Sequence, residues 1–125
     1  MPAVSVESWD KKFNRLVPKV RKTALKLGRF LHVKGGFNVT LVSGRYMKKN
    51  VMSFPAPKGF PWPKSGGKFL GEVYLNPAYI RAEGEKLEYM LIHGVLHLLG
   101  YDHKKKSDII SMEKKERELM GLLSR

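Results

Sequence analysis

Three of the four histidines fall in one eleven-residue window, His93-Gly-Val-Leu-His97-Leu-Leu-Gly-Tyr-Asp-His103. His93 and His97 are four residues apart in a stretch that reads as helix. That spacing puts both imidazoles on one face, a turn apart, where they can reach one cation. Gly100 follows three residues after His97. Glycine takes a left-handed backbone cheaply, so it ends the helix and turns the chain back. The return brings His103 in as a third ligand. Three neutral nitrogens with a fourth position open to water make a catalytic zinc arrangement, and the spacing predicts one Zn²⁺ on His93, His97 and His103. The competing reading is three histidines with no metal, but a mostly apolar helix has little other reason to bury two unpartnered imidazoles. His32 stands apart, at the end of a basic helix, and is assigned no role.

The elements that must position this window follow from hydrophobic spacing. Val4 and Val6 alternate with polar neighbours and suggest a short first strand. Ser8 is the expected cap of one helical turn. Pro18 suits a first helical turn, so a longer helix is predicted from Pro18 to Leu27, ending near Gly28. Lys19, Arg21, Lys22, Lys26 and Arg29 lie on its other face, either simply solvated or facing RNA. Phe37 to Val42, Val51 to Phe54 and Phe69 to Leu75 read as strands. The stretch from Pro55 to Gly67 reads as a loop, in which Phe60 and Trp62 beside Lys58 and Lys64 either stack on bases or cover the core edge. Asn76-Pro77 reads as a helix cap followed by proline at the first position. Helices are expected near Glu85 to Leu99 and from Ser107 or Asp108 to about Leu122, the last with the apolar set Ile109, Met112, Leu119, Met120 and Leu123. This order predicts one α+β domain over residues 1–125, a small mixed β-sheet packed by helices, with a zincin-like metal-binding helix and a glycine turn.

Composition narrows the function. The 125 residues contain no cysteine, which excludes disulfides, a thiol nucleophile and sulfur-ligated zinc. Apolar residues make up 42% of the chain, enough for a core. No apolar run is long enough for a membrane span, and the N-terminus does not resemble a secretory signal, so a cytoplasmic protein is expected. The net charge is +13, and it is polarised: residues 11–71 carry 15 Lys or Arg and no Asp or Glu. Such a surface either attracts a polyanion, nucleic acid first, or simply keeps a small Lys-rich protein in solution. An anionic lipid surface is a poorer match, because the basic stretch lacks a clean amphipathic helix with anchors.

The window from His93 to His103 resembles the signature of the YbeY family of bacterial endoribonucleases, His-Gly-x-Leu-His-Leu-x-Gly-Tyr-Asp-His. His93, Gly94, Leu96, His97, Leu98, Gly100, Tyr101, Asp102 and His103 all agree with it. Val51-Met-Ser-Phe-Pro55, preceded by Asn50, is similar to the family's Val-Leu-Ser-Phe-Pro strand. Gly71-Glu-Val73 is similar to its Gly-Asp-Ile, and Met112 and Glu116 fit its last helix. The family usually has a helix ahead of that strand. Only residues 43–50 fill the gap here, so the chain reads as a shortened member. The resemblance implies a zinc-dependent, single-strand-specific endoribonuclease of rRNA maturation and ribosome quality control. Its partner is then ribosomal RNA or the ribosome, not DNA. The resemblance also implies a functional arginine, which the family places after a tyrosine. Arg45 precedes Tyr46 and receives that role, with Lys48 and Lys49 as alternative cations.

Zinc proteases of the metzincin type share the histidine spacing and the glycine. They need glutamate directly after the first histidine as general base, and Gly94 stands there. A small metallopeptidase is therefore the weakest reading. A non-catalytic RNA- or ribosome-binding protein with structural zinc is the alternative to the nuclease. In the nuclease reading zinc activates a water or grips a phosphate oxygen, Arg45 neutralises charge on phosphorus, and the attacking group is a metal hydroxide or the 2′-hydroxyl. Asp102 either orients a ligand histidine or caps the turn. Ser53 either touches substrate or is an ordinary strand serine.

Overall fold

Short alternating runs pair into one sheet. The structure is a computed structural model and describes residues 3–57, 67–102 and 104–124. Strands β1 (Ala3–Ser8), β2 (Gly36–Leu41), β3 (Val51–Pro55) and β4 (Phe69–Leu75) lie in the order β1-β2-β4-β3. The β1–β2 and β2–β4 pairs are parallel, whereas β3 runs antiparallel to β4. The α+β class and mixed sheet expected from the sequence are present. The helices are α1 (Val17–Phe30), α2 (Pro77–Ala82), α3 (Leu87–Leu98) and α4 (Lys106–Leu123). Helix α1 supplies the crossover that joins two parallel strands. None of the described helices is long and apolar enough to cross a membrane.

The period of two along the strands decides which face is buried. Val6, Phe37, Val39, Leu41, Val73 and Leu75 are buried together with Val20, Ala24 and Leu27 of α1 and Leu91, Ile92, Val95 and Leu96 of α3. Asn76 caps α2, its side-chain oxygen accepting from the Tyr79 N–H at 3.1 Å, with Pro77 at the first helical position. The amide also donates to the Met47 carbonyl at 2.8 Å, which ties the turn before β3 to the end of β4.

Local chemistry moves several boundaries. Asp10, not Ser8, caps the 3₁₀ turn Lys11–Leu16, its carboxylate accepting from Lys12 N–H at 3.0 Å. Gly28 does not end α1. It is buried inside the helix, which runs on to Phe30. His32 closes the helix in the left-handed conformation, at φ 56°. Its N–H donates to the Arg29 carbonyl at 3.1 Å and Val33 N–H donates to Gly28 at 2.9 Å, the paired bonds of a Schellman motif. This gives His32 a structural role. In α4, Met112, Glu116 and Leu119 are the buried set, while Ile109 is exposed.

Helix α3 lies unusually close to the sheet, and Gly94 permits this. A Cβ there would stand 2.6 Å from Val73 Cγ1, 3.1 Å from Val51 Cγ2 and 3.2 Å from Ser53 Oγ. The Ser53 hydroxyl donates to the Gly94 carbonyl at 2.8 Å, so Ser53 ties β3 to α3. Gly94→Ala should gain about 1 kcal/mol of helix propensity and lose about 1–3 kcal/mol to overpacking against Val73. A net loss of stability in urea unfolding is the expected result.

Candidate metal centre

His93 and His97 sit on successive turns of α3, as their spacing predicts. Their Nε2 atoms are 3.2 Å apart. Two nitrogens each about 2.05 Å from a tetrahedral zinc would be roughly 3.3 Å apart, so the pair has the bite a single ion requires. The tautomer is set from behind. His93 Nδ1 lies 2.6 Å from Glu116 Oε2, on a carboxylate whose side chain is only 3% exposed. With the Glu116 carboxylate accepting, the neutral imidazole carries its hydrogen on Nδ1 and keeps the Nε2 lone pair facing His97 Nε2. The Tyr89 hydroxyl donates to the other oxygen, Oε1, at 3.0 Å. Burial, and then the bond to Glu116, pushes the Tyr89 hydroxyl up to about 12. Tyr89 therefore remains a donor throughout the neutral range.

Helix α3 ends as the glycine turn requires. Gly100 has φ +100°, and Tyr101 N–H returns to the Leu96 carbonyl at 3.0 Å. His103, the expected third ligand, lies outside the described residues. Among the described residues no group of three or more His, Cys, Asp or Glu could hold a metal ion. The Asp102 carboxylate accepts from Lys104 N–H at 3.3 Å, within the turn. The carboxylate behind the histidine is Glu116.

His93 opens onto a cleft of about 350 Å³ lined also by Asn50, Glu85, Tyr89, Glu113 and Glu116. Asn50 Nδ2 donates to Glu85 Oε1 at 2.9 Å, and Asn50 Oδ1 accepts from Val51 N–H at 2.8 Å. The cleft is thus anionic in a chain of net charge +13, a local field that favours a small cation. Arg45 is not among the lining residues. It is exposed on the turn before β3, with its guanidinium 5.9 Å over the Tyr46 ring.

The family described as Endoribonuclease YbeY matches residues 7–124. The chain belongs to the YbeY endoribonuclease family. It is similar to a protein of Thermodesulfovibrio yellowstonii named Endoribonuclease YbeY, 32% identical over 130 residues that cover 94% of this chain and 78% of that protein. A protein of the same name from Bartonella bacilliformis is 40% identical over 82 residues, covering 57% of this chain and 49% of that one. The chain thus matches about half the length of that relative. A solution structure from Thermotoga maritima shares the fold, with a TM-score of 0.56 at 22% identity over 95% of this chain and 90% of that one.

In the sequence, Glu116 stands only as a match to the family's last helix, and Tyr89 is given no role. Tyr89 left no signal, because one tyrosine in an apolar helix is ordinary. Glu116 did leave one. It falls four after Met112 and three before Leu119, a carboxylate on the buried stripe of a YbeY-type last helix, where a partner is obligatory. Lys104, Lys105 and Lys106, exposed between the turn and α4, were also passed over. Glu116→Gln keeps the shape but removes the charge behind His93. Divalent-metal affinity should fall about 10- to 100-fold by chelator competition, with the circular dichroism spectrum unchanged.

Proposed function

We propose that this protein is a zinc-dependent, single-strand-specific endoribonuclease acting in rRNA maturation and ribosome quality control. One Zn²⁺ would be held by His93, His97 and His103, and phosphodiester bonds cut beside it. The observation that carries the reading is the Glu116–His93–His97 arrangement, with two Nε2 atoms 3.2 Å apart and a buried carboxylate behind the first ring. His103 enters through its place after the glycine turn. Membership of an endoribonuclease family and the polarised positive charge support RNA as the substrate.

Bound zinc supplies Lewis acidity, lowering the pKa of a coordinated water to about 7 and polarising a phosphoryl oxygen. The chain's own residues do the rest. Glu116 fixes the His93 ring and, in the neutral imidazole, holds the hydrogen on Nδ1 so that Nε2 faces the cleft side of the pair. Tyr89 satisfies the remaining carboxylate oxygen, so that Glu116 need not turn into the cleft. Arg45, with Lys48 and Lys49 beside it, neutralises charge on the RNA backbone from the exposed turn. Position 94 argues against a peptidase. The glutamate that such an enzyme needs would have its Cβ inside the van der Waals shell of Val73.

Three outcomes are expected. His97→Ala loses both bound zinc and RNA cleavage, and retention of one zinc per chain by elemental analysis would defeat the assignment. Arg45→Ala cuts RNA turnover while zinc stays bound. Unchanged turnover would move that role to Lys48 or Lys49. Affinity for single-stranded RNA falls steeply with added salt, with log K linear in log salt. A flat response would make the basic half incidental.

A further inference from the structure

The sheet has a second face, turned away from α1 and α3. Strand register lays it out in rows. Glu7, Thr40, Tyr74 and Met52 form one, and Asn38, Glu72 and Phe54 lie in the next. The β1–β2 half is polar and the β4–β3 half is aromatic. Trp9, just past β1, and Tyr46, on the turn before β3, extend the aromatic half into a chain of rings. Tyr46–Trp9, Trp9–Tyr74 and Tyr74–Phe54 centroids are 5.3, 5.6 and 5.5 Å apart, all edge-to-face.

Large rings packed on one another normally end up covered. Here Trp9, Tyr46 and Phe54 stay 47%, 56% and 47% exposed, around a groove of about 470 Å³ lined also by Val42, Met47, Met52, Tyr74 and the Glu72 carboxylate. One border of the groove is cationic. Arg45 lies over the Tyr46 ring, and Lys48 and Lys49 follow, both exposed. The carboxylates of this face, Glu7 and Glu72, are on β1 and β4, and Glu72 is engaged by the Tyr74 hydroxyl at 2.9 Å.

We propose that this aromatic face is a stacking platform for unpaired RNA bases, separate from the metal centre, with the phosphate backbone running along Arg45, Lys48 and Lys49. Exposed rings beside a row of cations are the two components that sequence-tolerant single-strand binding requires. The exposed parts of Trp9, Tyr46 and Phe54 are the ring surface offered to bases. A protein partner docking on the groove would gain from the rings and methionines but would leave three adjacent cations unused, so charge complementarity favours the polyanion. The proposal rests on the preceding section in taking RNA as that polyanion and Arg45, Lys48 and Lys49 as its backbone contacts.

The test uses the full chain, treated with chelator so that no cleavage occurs, and a short unstructured oligoribonucleotide followed by fluorescence anisotropy. Trp9→Ala combined with Tyr46→Ala should weaken binding about tenfold or more, leave affinity for duplex RNA unchanged, and preserve the thermal melt. Phe54→Ala should act in the same direction from the other end of the chain, and Tyr46→Phe should retain affinity. Unchanged single-strand affinity would overturn the platform, as would an equal loss on duplex and single strand. A change in the protein's own sedimentation with RNA binding intact would instead mark the face as a contact between copies and likewise overturn it. A zinc-loaded cleavage assay separates this proposal from the nuclease reading. Loss of binding in the variants of a chain that never cleaves RNA sinks only the nuclease. Normal cleavage with platform-independent binding sinks only the platform.

Discussion

The Glu116 carboxylate is buried, and a buried carboxylate is tolerable only when its oxygens are met by donors. Both are met here, by Tyr89 and His93 of α3. Much of the C-terminal half exists to make that meeting possible. Helix α4 must run back across α3, which requires the chain to reverse at Gly100 and restart by Lys106. The same contact that satisfies Glu116 selects the His93 tautomer, and the tautomer decides whether the ring can act as a ligand. Stability and chemistry are therefore coupled through one 2.6 Å contact.

The charge distribution separates an acidic cleft from basic surfaces. Glu85, Glu113 and Glu116 surround the histidine cleft, although basic residues outnumber acidic ones 24 to 11. A polyanion gains little from that cleft by electrostatics alone. Exposed positive side chains lie on α1, in the Arg45–Lys49 turn, at Lys104 to Lys106 and, as Lys114 and Arg117, on α4. A small cation in the cleft would reverse its sign locally, so a metal and a nucleic acid, bound as proposed, would draw on different parts of one field.

The sequence was readable where local chemistry is decisive. The His93–His97 spacing, the glycine turn at Gly100 and the Asn76-Pro77 cap all depend on a few adjacent residues, and all appear as expected. It was less readable where a choice depends on distant partners. Gly28 looked like a stop, but the apolar stripe of α1 continues past it, and His32 accepts the left-handed position that glycine usually fills. Ser8 and Asp10 are both competent caps, and only the backbone geometry distinguishes them. The placement of β3 outside β4 is a long-range pairing with no local signature. Glu116 was visible as a carboxylate on a buried stripe, but its partners, 23 and 27 residues back along the chain, were not.

The contact of α3 with the sheet at Gly94 also bears on how this scaffold can diversify. The histidine helix is shared in spacing with zinc peptidases, and on paper one codon separates the two chemistries. In this architecture that single step is closed, because position 94 faces packed valines and not the solvent-filled side of the helix. A lineage starting from this protein would have to lift the helix from β3 and β4, or recruit a base from another segment, before amide hydrolysis came within reach.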